Sequence, residues 1–230
     1  MITVKDLTVE YADGKVAVEG VGFTLAPGEN VALVGANGAG KTSLLLALVG
    51  ILAAKTGDIR IGSTVLGKRT LREIRSRVGL VFQNPDDQLF MPCVFEDVAF
   101  GPRSFGCDEA ETERRAGAAM RRLEIGRLRD SSPMKLSAGE KRLCAIAAVL
   151  SMEPEFLLFD EPTAFLDPRA RRNLASALAD MRQGKLVATH DVAFAEAVCS
   201  RVLLLRCGRL VGDGGPELLR DTATLEAAGL

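Results

Sequence analysis

The octapeptide GANGAGKT at residues 35–42, set between two apolar runs, constrains this chain more than any other feature. It fits the pattern G-x-x-x-x-G-K-[ST], whose glycines let successive backbone N–H groups turn toward phosphate oxygens. The run before it, Val31 to Val34, is short and apolar, as a buried parallel strand is. The run after it, LLLALVGIL, reads as a buried helix whose positive N-terminal end faces the same anion. Strand, glycine-rich loop and helix in that order are what a phosphate cradle requires. Lys41 can then reach the β and γ phosphates of a nucleotide, and the Thr42 hydroxyl can ligate Mg²⁺. Gly35, Asn37, Gly38, Gly40, Lys41, Thr42 and the adjoining Ser43 are the candidate nucleotide-binding residues.

The rest of the chain supplies partners for that strand. The first 25 residues read as two strands joined at Asp13-Gly14, a hairpin-type turn. Residues 57–82 have strand character, and residues 84–92, with two prolines, read as a loop. Charge and Ala/Arg content predict a solvated helix from about Asp108 to Leu123, broken at Ser131-Ser132-Pro133, and a second helix from Glu140 to Leu150. Apolar runs FLLF (156–159), LVAT (186–189) and VLLL (202–205) read as buried strands, alternating with helices at 168–182 and 191–199. A short strand, Arg209 to Val211, and a small helix close the chain. Strands alternating with helices predict an α/β fold with a mostly parallel sheet. The strand-poor stretch 84–152 reads as a helical subdomain inserted between core segments 1–83 and 153–230.

Composition narrows the function. Lys plus Arg (29) nearly balances Asp plus Glu (30), so nothing marks a general binder of nucleic acid or anionic membrane. The opening MITVKDLTVEY has no apolar core of a signal peptide, and no run approaches the ~18 apolar residues of a membrane helix. Work at a membrane would need a partner. Cys93, Cys107, Cys144, Cys199 and Cys207 are scattered without a C-x-x-C pair, which points to reduced thiols rather than disulfides or a zinc site.

Two further features suit nucleotide chemistry. FLLFDEP (156–162) ends an apolar strand in two carboxylates. Adjacent strand residues point to opposite faces, so Asp160 and Glu161 are expected to do different jobs. Asp160 suits a water-mediated contact to Mg²⁺ beside Thr42, and Glu161 a general base or water-positioning group. The one histidine, His190, ends the strand LVATHD. A lone histidine is most often structural, but strand ends in a parallel sheet line a nucleotide crevice, where His190 could reach a γ-phosphate or the attacking water.

With these residues in view, the chain resembles an ABC ATPase over essentially its whole length. LSAGE (136–140) is similar to the family signature LSGGQ, with Ala138 for glycine and Glu140 for glutamine. The resemblance implies a P-loop NTPase core with an N-terminal antiparallel β part and an inserted helical subdomain. It implies ATP and Mg²⁺ as ligands, and a dimer in which Ser137 and Gly139 of one chain meet the γ-phosphate held by the other. It further implies that Gln83 senses Mg²⁺ and touches a membrane partner, that Tyr11 stacks on adenine, and that Asp167 in AFLDP communicates across the dimer. Phe165, in the same AFLDP segment, is bulkier than the family pattern leads one to expect.

A narrower resemblance is carried by VGLVFQNPDDQLF (78–90), VFEDVAFGP (94–102) and MKLSAGEKRLCAIAAVLSMEP (134–154), which are similar to the ATPases of energy-coupling factor importers. It implies uptake of a micronutrient, cobalt or nickel ion or a vitamin such as biotin. The implied partners are a second, identical or paralogous ATPase, a transmembrane coupling protein and a small substrate-binding membrane protein, at the cytoplasmic face of the membrane. The rival reading is an ABC ATPase not tied to transport, or one serving another importer type. ATPases of that class that act on DNA carry a long coiled coil between the motifs. Here Gln83 and Ser137 are 137 − 83 = 54 residues apart with no heptad run between them.

Overall fold

The computed structural model describes residues 1–229, excepting the side chains of Ala223, Ala227 and Ala228. In chain order the strands are β1 (Ile2–Glu10), β2 (Val16–Leu25), β3 (Asn30–Val34), β4 (Ala54–Ile61), β5 (Thr64–Val65), β6 (Val78–Val81), β7 (Phe156–Asp160), β8 (Gly184–Thr189), β9 (Arg201–Arg206) and β10 (Arg209–Gly214). The helices are α1 (Lys41–Leu48), α2 (Leu71–Arg77), α3 (Val94–Phe105), α4 (Glu109–Arg122), α5 (Ala138–Leu150), α6 (Pro168–Ala179), α7 (Val192–Val198) and α8 (Thr222–Ala228).

The chain divides into two compact units. The first comprises Met1–Leu80, Glu155–Glu161 and Arg182–Leu230. It holds an antiparallel sheet in the order β2-β1-β4-β5 and a second sheet in the order β10-β9-β3-β8-β7-β6. Within the second sheet β3 runs parallel to both β8 and β9, β7 runs parallel to β8, and β10 turns back antiparallel to β9. This is the expected α/β architecture with its antiparallel N-terminal part. Phe156, Phe159, Leu33, Leu44, Leu45, Leu48 and Ile61 are among its fully buried side chains, each worth about 1.5–3 kcal/mol on burial.

The second unit comprises Val81–Pro154 and Pro162–Met181 and is built on α3, α4, α5 and α6. Residues 162–181 thus cluster with the helices, although the sequence boundaries place them with the core. Arg142, only 1% exposed, is tolerated inside because its guanidinium donates to the Phe82 and Gln83 carbonyls at 2.6 and 2.5 Å. Buried Asp97 accepts the Phe90 and Met91 N–H groups at 2.9 and 3.0 Å; desolvation nonetheless holds its carboxyl above the usual range.

Four sequence expectations change. LLLALVGIL is helical only to Leu48, because Gly50 takes a left-handed φ of 65° that turns the chain. The strand character expected across 57–82 is interrupted by α2, which buries only Ile74 and is supported by the Glu73–Arg77 pair at 3.7 Å and Arg77–Glu155 at 2.7 Å. A seven-residue helix with one buried position leaves almost no periodic signal. α3 lies within the stretch 84–152 read as helical, and its Gly101 sits where a Cβ would meet Met152 Cγ at 2.5 Å. α5 begins at Ala138 rather than Glu140, and α6 ends at Ala179. The five cysteines are free, and burial pushes the Cys144 and Cys199 thiols up to about 12, which makes them packing groups rather than nucleophiles.

The tightest point of the parallel sheet is Gly184, where a Cβ would lie 2.7 Å from the Phe156 ring and 2.8 Å from the Ala26 carbonyl oxygen. Gly184→Ala is expected to destabilise the protein by about 1–3 kcal/mol through overpacking. Gly67→Ala, where the nearest atom is 3.9 Å away, is expected to stay within about 0.5 kcal/mol. Urea unfolding midpoints of the two variants check this.

Candidate functional site

Three strand ends build the site in the first unit. Parallel pairing aligns Val34 with Thr189 and Asp160 with Ala188, so the residues following β3, β7 and β8 emerge side by side. The loop after β3 is glycine-rich for steric reasons. A Cβ on Gly35 would overlap the Leu205 carbonyl oxygen, Gly38 has φ 81°, and Gly40 has φ 108° against the Ala17 carbonyl. The Gly208 N–H pins the loop from the β9–β10 turn by donating to the Ala39 carbonyl at 2.8 Å. α1 then starts at Lys41 with no acidic residue in its first turn and no side-chain cap, so its N-terminal amides keep their capacity for an anion.

The polar side chains converge on this loop. Thr42 Oγ1 donates to Asp160 Oδ2 at 2.8 Å. Lys41, 5% exposed, donates to the Gly35 and Ala36 carbonyls at 2.7 and 3.2 Å and pairs with Glu161 Oε1 at 3.1 Å. Glu161, also 5% exposed, accepts through Oε2 from Thr189 Oγ1 at 3.1 Å and from the His190 N–H at 3.3 Å. His190 Nδ1 lies 3.0 Å from the same oxygen. A carboxylate oxygen accepts, so Nδ1 is the donor in this contact, and the imidazole ring is half-exposed.

The expected division of labour between Asp160 and Glu161 rests on a different geometry from the one strand alternation predicts. Glu161 lies one residue past β7, with a left-handed φ of 42°. Both carboxylates therefore reach the phosphate loop, one at Thr42 and one at Lys41. Their roles differ because their partners differ. The Asp160 carboxylate and Thr42 hydroxyl are hard oxygen donors of the kind Mg²⁺ takes. Among the described residues no group of three His, Cys, Asp or Glu could hold a metal unaided.

The remaining candidates fall as follows. Asn37 is exposed at the loop tip. Tyr11 is partly exposed, and its hydroxyl shares a 2.8 Å hydrogen bond with Ser43 Oγ, which ties the end of β1 to α1. Gln83, Ser137, Gly139 and Asp167 belong to the second unit. Gln83 is exposed and its carbonyl is held by Arg142. Ser137 is the N-cap of α5 in a reciprocal capping box with Glu140, and Asp167 caps α6 by accepting the Arg169 and Ala170 N–H groups at 2.8 Å. Ser137, Gly139 and Asp167 line one cleft of about 440 Å³ together with Arg127 and Arg169. Phe165 is exposed with φ 63°, so its bulk projects outward.

Sequence reasoning missed Thr189, fully buried and donating to Glu161, and Arg127, which pairs with Glu140 at 2.7 Å. A threonine inside an apolar strand and an arginine in a charged stretch carry no pattern of their own.

Lys41, paired with Glu161 at 3.1 Å, is the cation for which a phosphate entering the loop would compete. Glu161→Gln removes the competing charge, so affinity for ADP, which bears no γ-phosphate to hydrolyse, is expected to rise by up to about tenfold, or 1.4 kcal/mol. Titration calorimetry on the wild type and the variant measures it, and equal affinities would contradict the competition.

Comparison with known proteins identifies the family. Residues 18–164 match the ABC transporter family. An ABC transporter ATP-binding protein of Geobacter sulfurreducens is 50% identical over 98% of this chain and 93% of its own length. An energy-coupling factor transporter ATP-binding protein of Carboxydothermus hydrogenoformans is 40% identical over 100% of this chain and 86% of its own. Among solved structures, CbiO1 of Clostridium perfringens, part of the ABC transporter complex CbiONQ, superposes with a TM-score of 0.87 at 34% identity, covering 97% of this chain and 91% of that one. With a phosphate loop, an acidic strand end and a signature helix of the same kind, the chain belongs to the ABC transporter ATP-binding family, whose members hydrolyse ATP to drive transport.

Proposed function

We propose that this chain powers an energy-coupling factor type importer of a micronutrient, cobalt or nickel ion or a vitamin such as biotin, from the cytoplasmic face of the membrane. The observation that carries the catalytic part is the convergence of Thr42–Asp160 and Lys41–Glu161–His190 on one loop. The importer type is supported by the QNPDDQLF and FEDVAFGP segments and by the energy-coupling factor and CbiONQ relatives. Among the described residues no helix is long and apolar enough to cross a membrane, so the proposed partners are a transmembrane coupling protein and a small substrate-binding membrane protein.

In this reading two ATPase chains, identical or paralogous, enclose two ATP molecules. Each ATP rests on Gly35, Asn37, Gly38, Gly40, Lys41, Thr42 and Ser43 of one chain, with Tyr11 against the adenine, and meets Ser137 and Gly139 of the other. Thr42, Asp160 and Gln83 would hold Mg²⁺, which when bound screens the charge developing on the phosphates. Lys41 turns from Glu161 to the β and γ phosphates as nucleotide enters. Glu161, released from that pair, accepts the proton of the attacking water, while Thr189 and His190 hold its other oxygen in place. His190 reaches the γ-phosphate or the attacking water, Asp167 carries the signal across the dimer, and Gln83 relays it to the membrane partner.

Glu161→Gln keeps the shape of the side chain and removes the base. ATP binding is expected to persist, hydrolysis to fall by at least ~10²-fold, and an ATP-bound dimer to accumulate on size exclusion; wild-type turnover would remove Glu161 from this role. A complementation test addresses the shared site. Ser137→Arg is expected to bind ATP as a monomer yet lose ATP-induced dimerisation and hydrolysis, and Lys41→Ala to fold but bind nucleotide weakly. Mixing the two should restore part of the activity, because one composite site then pairs an intact Lys41 with an intact Ser137. Full hydrolysis by monomeric Ser137→Arg rules the shared site out. Copurification of a membrane protein separates transport from a free-standing ATPase.

A further inference from the structure

The N-terminus of α5 carries a contradiction that one side chain resolves. Its backbone amides and helix dipole attract an anion. Yet the first turn contains Glu140, whose Oε2 accepts from the Ser137 N–H at 3.0 Å and from the Ser137 hydroxyl at 2.8 Å. A carboxylate there completes the capping box, but it repels a polyphosphate approaching the same helix end. The Ser137 hydroxyl proton, needed by a phosphate, is also committed to Glu140. Arg127, in the turn that follows α4, places Nη2 2.7 Å from Glu140 Oε1. The pair cancels the charge at the helix mouth. Hydrogen bonds from the Ser137 backbone and from Arg127 hold the Glu140 carboxyl below its usual range.

We infer that Arg127 is a positioning residue for the shared nucleotide site: by neutralising Glu140 it keeps the α5 N-terminus receptive to the γ-phosphate of ATP held by a second chain. The inference rests on the shared-site reading above. Arg127 leaves Glu140 with a donor when Ser137 turns its hydroxyl to the phosphate, so the carboxylate keeps two of its three partner groups. The side chain is 69% exposed and lines the cleft that Ser137, Gly139 and Asp167 share. An exposed ion pair contributes little to stability, so the unit folds without it. Arg169 lines the same cleft, and its backbone N–H donates to Asp167 Oδ1 at 2.8 Å.

The test is a charge cycle in the full chain. Arg127→Ala leaves a bare carboxylate at the helix end. The KM for ATP is expected to rise about tenfold with kcat little changed, the size of effect one uncompensated charge exerts near a phosphate. ATP-induced dimerisation in the Glu161→Gln background should weaken in parallel, and ADP affinity of the monomer should not move. Arg127→Ala combined with Glu140→Gln should return KM to near the wild-type value, because no charge then needs cancelling. An unchanged KM in Arg127→Ala overturns the inference, as does a rise in KM that Glu140→Gln fails to rescue, which would mean that Arg127 acts on phosphate or fold directly. Failure of the shared-site reading shows separately, as hydrolysis by monomeric Ser137→Arg.

Discussion

Parallel pairing between β3, β8 and β7 is the constraint on which the nucleotide site depends. Parallel strands end on the same edge of a sheet, and the register here puts Val34 beside Thr189 and Ala188 beside Asp160. Three segments far apart in sequence thus deliver their first residues past the strand to one place. The glycine loop, the acidic pair and the histidine need no further arrangement to meet. Packing supports the pairing from both sides: β7 and β8 are buried along their whole length, and Gly184 is small because Phe156 and the Ala26 carbonyl occupy the space a side chain would need.

Within that frame, electrostatics sets the resting arrangement. Two buried side chains of opposite charge type, Lys41 and Glu161, lie 3.1 Å apart; Lys41 also donates to the Gly35 carbonyl, and Glu161 also accepts from the Thr189 hydroxyl. A buried charge without a partner is costly, so each of the two charges offsets the burial of the other. In the proposed function an entering phosphate would replace one anion by another at Lys41, and the event that binds the substrate would free the carboxylate. Glu161 reaches this position through a left-handed backbone, a strained conformation held by its N–H bond to the Ala188 carbonyl at 2.8 Å.

The second unit uses helix ends rather than strand ends. α5 and α6 both begin with a side-chain cap, Ser137 and Asp167, and both line one cleft. A capped helix start is well ordered and still presents amides to an incoming anion. Glu140 and Arg127 balance one another there, while Arg142, buried behind them, braces the backbone at Phe82 and Gln83.

Much of this was legible in the sequence, for physical reasons that can be named. Glycines at 35, 38 and 40 followed by Lys-Thr announce a phosphate loop because few other residues tolerate that backbone, and apolar runs of four announce buried strands. The alternation of those runs with helices determined the α/β class, and the family motifs determined the candidate residues. What the tertiary structure decided is everything that depends on a neighbour distant in sequence. α2 leaves no mark in the sequence because one buried isoleucine carries no periodic signal. Strand alternation put Asp160 and Glu161 on opposite faces, whereas the left-handed turn at Glu161, available only because Ala188 accepts its N–H, sends both to the same loop. Thr189, Arg127 and the Lys41–Glu161 pair have no local signature, since hydrogen bonds and ion pairs are properties of two positions that only the fold brings together.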